Sequence, residues 1–85
     1  MNVRAKFQCN SVTLAPSARK DSNDTWVTVL SKTWRFDAVT SGSEENKRFF
    51  DSTPGGKVEL FCVNPEVEFE LGKEYYLDFS SVDNP

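Results

Sequence analysis

Apolar and polar residues alternate from the start of the chain. Val3, Ala5, Phe7 and Cys9 interleave with Arg4, Lys6, Gln8 and Asn10, the period of two that marks a half-buried β-strand. After Asn10-Ser11 the apolar phase jumps to Val12 and Leu14, and such a flip predicts a β-bulge or the bend of a barrel strand. The strand is expected to end by Pro16. Residues 15–24, APSARKDSND, read as a polar loop rich in turn-forming residues that joins no core. From Thr25 to Val39 the run TWVTVLSKTWRFDAV is β-branched and aromatic; Trp26, Leu30, Trp34, Phe36 and Ala38 share one face, with Val27 and Val29 opposite. A run this long either curls as one strand or breaks into a hairpin near Ser31-Lys32. The absence of a tight-turn dipeptide inside it favours the curled strand.

The pattern then changes. Ser41 or Ser43 can cap a helix starting at Glu44, with acid in the first turn, Lys47 and Arg48 later, and Ser41–Glu44 at capping-box spacing. The helix is predicted to stop by Ser52, ahead of Thr53-Pro54, and its apolar payload is Phe49 and Phe50. At about 100° apart on a helix, at least one of these rings faces the core. Pro54-Gly55-Gly56 is a turn. Lys57–Val63 is a strand with Val58, Leu60 and Cys62 on one face and Glu59 and Phe61 on the other. After Asn64-Pro65 a short extended piece sets Val67, Phe69 and Leu71 against Glu66, Glu68 and Glu70. Gly72-Lys73 turns into a last strand, in which Tyr75, Leu77 and Phe79 oppose Glu74, Tyr76 and Asp78.

This order predicts one mainly β (small α+β) domain over residues 1–85, with one short helix around 44–51 and a frayed tail from 80 to 85. Two architectures fit: a compact antiparallel sheet with the helix on one face, and an OB-like partly open barrel, in which a short helix also precedes the last strands. The barrel would need two strands from residues 25–39.

Composition narrows the chemistry. The chain has 85 residues, seven Phe, two Trp and two Tyr, a large aromatic payload for so small a core. It has no histidine, which removes Ser–His–Asp and Cys–His arrangements and the commonest general acid–base group. There is no P-loop or dinucleotide fingerprint. Catalysis is therefore not expected. No cofactor is called for, and Cys9 and Cys62, without Cys-x-x-Cys spacing, read as reduced buried thiols. Glu66, Glu68 and Glu70 read as the wet face of an edge strand before they read as a cation site. No apolar run approaches the roughly 18 residues of a membrane span, and the first residues lack a signal-peptide core, so the expected setting is cytoplasmic.

Net charge is −3, distributed unevenly: residues 1–40 carry six basic side chains against three acidic ones, residues 41–85 four against ten. A basic N-terminal face with aromatics is the pattern of a single-stranded nucleic-acid binder; Arg4, Lys6, Lys32 and Arg35 are the phosphate candidates and Trp34 the leading stacking platform, with Phe61 and Tyr76 behind it. The acidic balance weighs against this, because phosphate contacts dominate such affinity. The preferred expectation is protein–protein contact, with an unknown protein partner or as a homo-oligomer, through Phe61 and Tyr76 on outward strand phases and Phe50 if Phe49 is the buried ring.

The segment ENKRFFDSTPGGKVELFCVNP with FELGKEYYLDF resembles short proteins of unknown activity encoded in tailed-bacteriophage genomes. The matching features are the opening Arg4-Ala5-Lys6-Phe7 strand, the Glu45-Asn46-Lys47-Arg48-Phe49 helix, the Thr53-Pro54-Gly55-Gly56 turn and the closing Gly72–Phe79 strand. Phe50 departs from the pattern, which has a larger aromatic such as Trp there. The resemblance implies a phage-like accessory protein, in the cytoplasm of an infected host cell, and transfers no catalytic or binding residue.

Overall fold

The computed structural model describes residues 2–83. Four strands and one helix follow one another as β1 (Asn2–Lys20), β2 (Trp26–Ala38), α1 (Glu44–Phe50), β3 (Lys57–Cys62) and β4 (Glu74–Ser80). The strands form one open antiparallel sheet in the order β3-β2-β1-β4, so the architecture is the open sheet and not the barrel. Residues 25–39 supply a single strand. Of the expected tail, Ser80 closes β4, residues 81–83 carry no regular structure, and 84–85 lie outside the described residues.

The phase flip in β1 is a bulge. Pairing with β2 runs Cys9↔Phe36 and then Ser11↔Arg35, leaving Asn10 as the extra residue. The bulge brings two stretches of opposite alternation onto one face. Ala5, Phe7 and Cys9 before it and Val12 after it lie on the side of Trp34, Phe36 and Ala38, the buried core. Phe69, from the segment between β3 and β4, lies over this face: its ring meets those of Trp34, Phe36 and Tyr75 edge-on at 5.3, 5.0 and 5.2 Å. Each such pair is worth about 0.5–1.5 kcal/mol beyond area burial. The Tyr75 hydroxyl accepts from the Glu70 amide, tying that segment down. Cys9 is buried, Cys62 half-buried, and both are free thiols; burial raises the Cys9 pKa.

Ser43, not Ser41, caps the helix: its side chain accepts from the Asn46 amide. The residue that α1 buries completely is Asn46. Its Oδ1 accepts from Lys6 N at 2.6 Å, and its Nδ2 donates to Lys6 O and Val39 O, both at 2.8 Å. β2 has ended there, and the amide continues the hydrogen-bonding of β1 in place of a strand. Phe50 packs on the core and Phe49 is the more exposed ring. The helix ends at Asp51, which adopts the left-handed conformation (φ 53°) and donates its amide to Lys47 O.

The largest departure from expectation is β1 itself. It does not stop at Pro16 but runs to Lys20, and the supposed loop 15–24 shrinks to a tight tip. At the tip Asp21 Oδ1 accepts from the Asn23 and Thr25 amides, and Asp21 N donates to Thr25 O at 2.9 Å. Pro16 is tolerated because of its direction. The Ala38 amide points toward β3, bonding Gly56 O; by the strand alternation so does that of Leu30. Pro16 pairs with Leu30, so its nitrogen faces away from β2 and no ladder bond is lost.

Candidate interaction surface

Beyond Lys32 the sheet narrows to two strands. β3 pairs with β2 only from Lys32 to Asp37, and β4 with β1 only up to Gln8. Ala15–Lys20 and Trp26–Ser31 therefore project as a ribbon about 20 Å long at the usual strand rise. The molecule measures 48 × 39 × 16 Å with a radius of gyration of 16.3 Å, against about 12 Å for a spherical domain of this length.

The ribbon carries the core face outward and largely uncovered, with the Lys20 ammonium 5.5 Å from the Trp26 ring centroid. Leu14, Trp26 and Leu30 are 56, 66 and 53% exposed, on the same side as Val12 and Trp34 by strand parity. Trp26 and Leu30 were expected on the core face and do lie there, but neither β3 nor the Phe69 segment reaches far enough to cover them. The opposite side carries Val27 and Val29, both half-buried. A two-stranded ribbon has no core of its own and is marginal in water unless something packs on it.

The residues singled out from sequence are scattered. Arg4 pairs with Asp78 at 2.6 Å, Lys6 with Glu74 at 3.9 Å, Lys32 with Glu68, and Arg35 with Glu59 at 2.9 Å. Arg35 also donates to Thr13 Oγ1. Arg4, Lys6 and Arg35 lie on the face away from the core, while Lys32 lies on the core side. Trp34 is 3% exposed and its indole N–H finds no acceptor among the described residues, so it offers no stacking platform. Phe61 is 65% exposed on the outer face of β3, far along the sheet from Tyr76 on β4. Phe50 belongs to the core margin. The expected Phe50–Phe61–Tyr76 patch is thus not contiguous.

Tyr76 instead organises a polar cluster. Its hydroxyl donates to Glu45 Oε1 at 2.7 Å and the Arg4 guanidinium lies 4.5 Å from its ring centroid. That hydroxyl, then the backbone and Ser43, lower the Glu45 pKa to about 2; the same hydrogen bond to Glu45 raises that of Tyr76. Next to it an open cleft of about 470 Å³ is lined by Val3, Arg4, Glu45, Arg48 and Phe49. Among the described residues no group of three or more acidic or cysteine side chains converges as a metal site would require, and no helix is long and apolar enough to cross a membrane.

Sequence reading missed the ribbon because Pro16 and the polar residues 17–24 mask it. The signal present was the uncharged β-branched stretch Thr25–Ser31 with no partner strand assigned to it. No family model, curated protein or solved structure matches the chain.

Proposed function

We propose that this is a non-enzymatic accessory protein that works by protein–protein contact, with the ribbon as its contact element. A phage-like accessory role, implied by the resemblance at residues 4–7, 45–65 and 69–79, belongs to this reading. The observation that carries it is the exposure of Leu14, Trp26 and Leu30 on a two-stranded projection. An apolar sheet face left open is a binding surface or an aggregation hazard. The nucleic-acid reading draws less support, since its four basic residues are each paired with an acid and divided between two faces.

The test compares tagged wild type, a Trp26→Ser/Leu30→Ser double variant and a Phe61→Ser variant as bait, with an untagged copy of the chain co-expressed. Proteins, the untagged copy included, held by wild type and Phe61→Ser but lost by the double variant support the ribbon as contact element. Identical recovery with all three baits overturns it.

A further inference from the structure

We propose that the occupant of the ribbon is a second copy of this chain, paired edge to edge along Trp26–Leu30 of β2 about a two-fold axis at Thr28; this rests on the contact reading above. The two edges of the ribbon are unequal. On the β1 edge Pro16 presents no N–H, the usual way a strand edge is blunted. On the β2 edge Trp26, Thr28 and Leu30 direct both N–H and C=O outward, following the parity set by Ala38 N→Gly56 O. None of them has a strand partner on that side among the described residues, since β3 pairing stops at Lys32↔Cys62. The chain's own β3 does not go on to fill the slot. Asn64 bends it away, accepting from the Glu66 amide through its side chain and from the Val67 amide through its carbonyl.

The sequence of the open edge matches itself. Run antiparallel against a second copy about Thr28, WVTVL sets Trp26 opposite Leu30, Val27 opposite Val29, and Thr28 opposite Thr28. These are aromatic–aliphatic, β-branched and Thr–Thr neighbours, the cross-strand pairs that stabilise sheets. In this register outward-facing residues meet outward-facing residues, so Trp26, Thr28 and Leu30 can each exchange both backbone hydrogen bonds with the second copy. Thr25–Ser31 carries no charge, so nothing repels across the axis. The axis stands perpendicular to the sheet. Trp26 and Leu30 of both copies therefore fall on one side, each Trp beside the other copy's Leu, and the contact is isologous and closes as a dimer.

Light scattering after size exclusion, over a range of concentrations, is expected to show a dimer for the wild-type chain. Thr28→Pro copies on the β2 edge what Pro16 does on the β1 edge: it removes an outward donor without touching the ladder to β1. It is expected to raise the dissociation constant at least about tenfold, the effect of losing roughly 1.4 kcal/mol of hydrogen bonding. Ala18→Pro, its counterpart on the β1 edge, is expected to stay dimeric, and retained Trp34 emission checks that each variant folds. Thr28→Lys provides a second arm, placing like charges across the axis so that dimerisation weakens and salt partly restores it. Amide exchange at Trp26, Thr28 and Leu30 is expected to slow as concentration rises, while that at Leu14 and Ala18 does not. A single-chain mass up to millimolar concentration, or a dimer indifferent to both Thr28 variants, overturns the self-pairing. A monomer whose other captured proteins still depend on Trp26 and Leu30 overturns self-pairing alone and leaves the contact reading standing. A dimer indifferent to both Thr28 variants, together with capture indifferent to the ribbon, overturns both.

Discussion

The side-chain amide of Asn46 takes the place of a strand residue beside Lys6, accepting from its N–H and donating to its carbonyl, while its second amide hydrogen reaches Val39 O. It joins the helix to the sheet at the point where β2 ends. Asn46→Ala leaves the part-buried Lys6 N–H unpaired and is expected to cost about 2–4 kcal/mol in denaturant unfolding. The variant N46D tests the geometry more sharply. It keeps an acceptor for Lys6 N but turns an oxygen toward two carbonyl oxygens, so its carboxyl favours the protonated form in the folded state. Its stability relative to wild type is therefore greatest at acidic pH and falls as pH rises. A deficit that does not change with pH would contradict the hydrogen-bond assignment.

Glu45 and Tyr76 predict the opposite sign. The folded-state pKa of Glu45 is depressed to about 2, so its stabilisation is fully present above the ordinary carboxylate value near 4.5 and is lost as pH falls through about 2. Tyr76→Phe removes the largest cause of that depression. The difference in stability between wild type and Y76F is expected to hold level from pH 4.5 up to the ordinary tyrosine range near 10 and to shrink on either side, and the Glu45 carboxyl titration followed by NMR should move up in the variant.

Asp51 closes the helix with φ 53°, a conformation that costs a residue with a Cβ about 1–2 kcal/mol, and it places a negative charge at the negative end of the helix dipole. Asp51→Gly removes both penalties against a gain in unfolded-state freedom. The expected net is a stabilisation of about 0.5–1 kcal/mol, read as a higher thermal midpoint. A lower midpoint would mean that the Asp51 side chain makes a compensating contact.

The two tryptophans should be separable by acrylamide quenching. Trp34 is buried and Trp26 open. The Trp26→Phe protein is expected to emit at short wavelength with little quenching, and Trp34→Phe at long wavelength with strong quenching at low concentration. Quenching of Trp26 should fall as the chain is concentrated if the ribbon edges pair. Comparable quenching in both variants at low concentration would place Trp26 under cover within a single chain.

Much of this fold was legible before any coordinates, because alternation reports which face is buried. The jump from Cys9 to Val12 marked a bulge or a barrel-strand bend around Asn10-Ser11, and the Pro54–Gly56 and Gly72 turns bounded β3 and β4. What alternation does not report is which edge a backbone nitrogen faces. Pro16 reads as a strand end in one dimension and as a harmless outward nitrogen in three, and with that misreading the ribbon vanished into a loop. Asn46 was hidden for a different reason. A polar residue on a polar helix carries no hydrophobic signal, and its role depends on where β2 stops, which the long run to Val39 does not mark. Trp34 went the other way: an aromatic beside Arg35 looked available for stacking, and the Phe69 segment that covers it lies far along the chain.

The strand order places the first and last strands side by side, and that orders the folding process in time. The β1–β2 hairpin closes over a short tip held by Asp21, a local event of microseconds. Pairing β1 with β4 joins residues as far apart as Arg4 and Asp78, 74 positions along the chain, and closing such a loop costs roughly 4 kcal/mol of chain entropy before any contact repays it. β4 is thus expected to dock last, onto a hairpin already formed. Until it does, the β1 edge from Asn2 to Gln8 is unpaired, and the nascent chain is most exposed to mispairing during that interval.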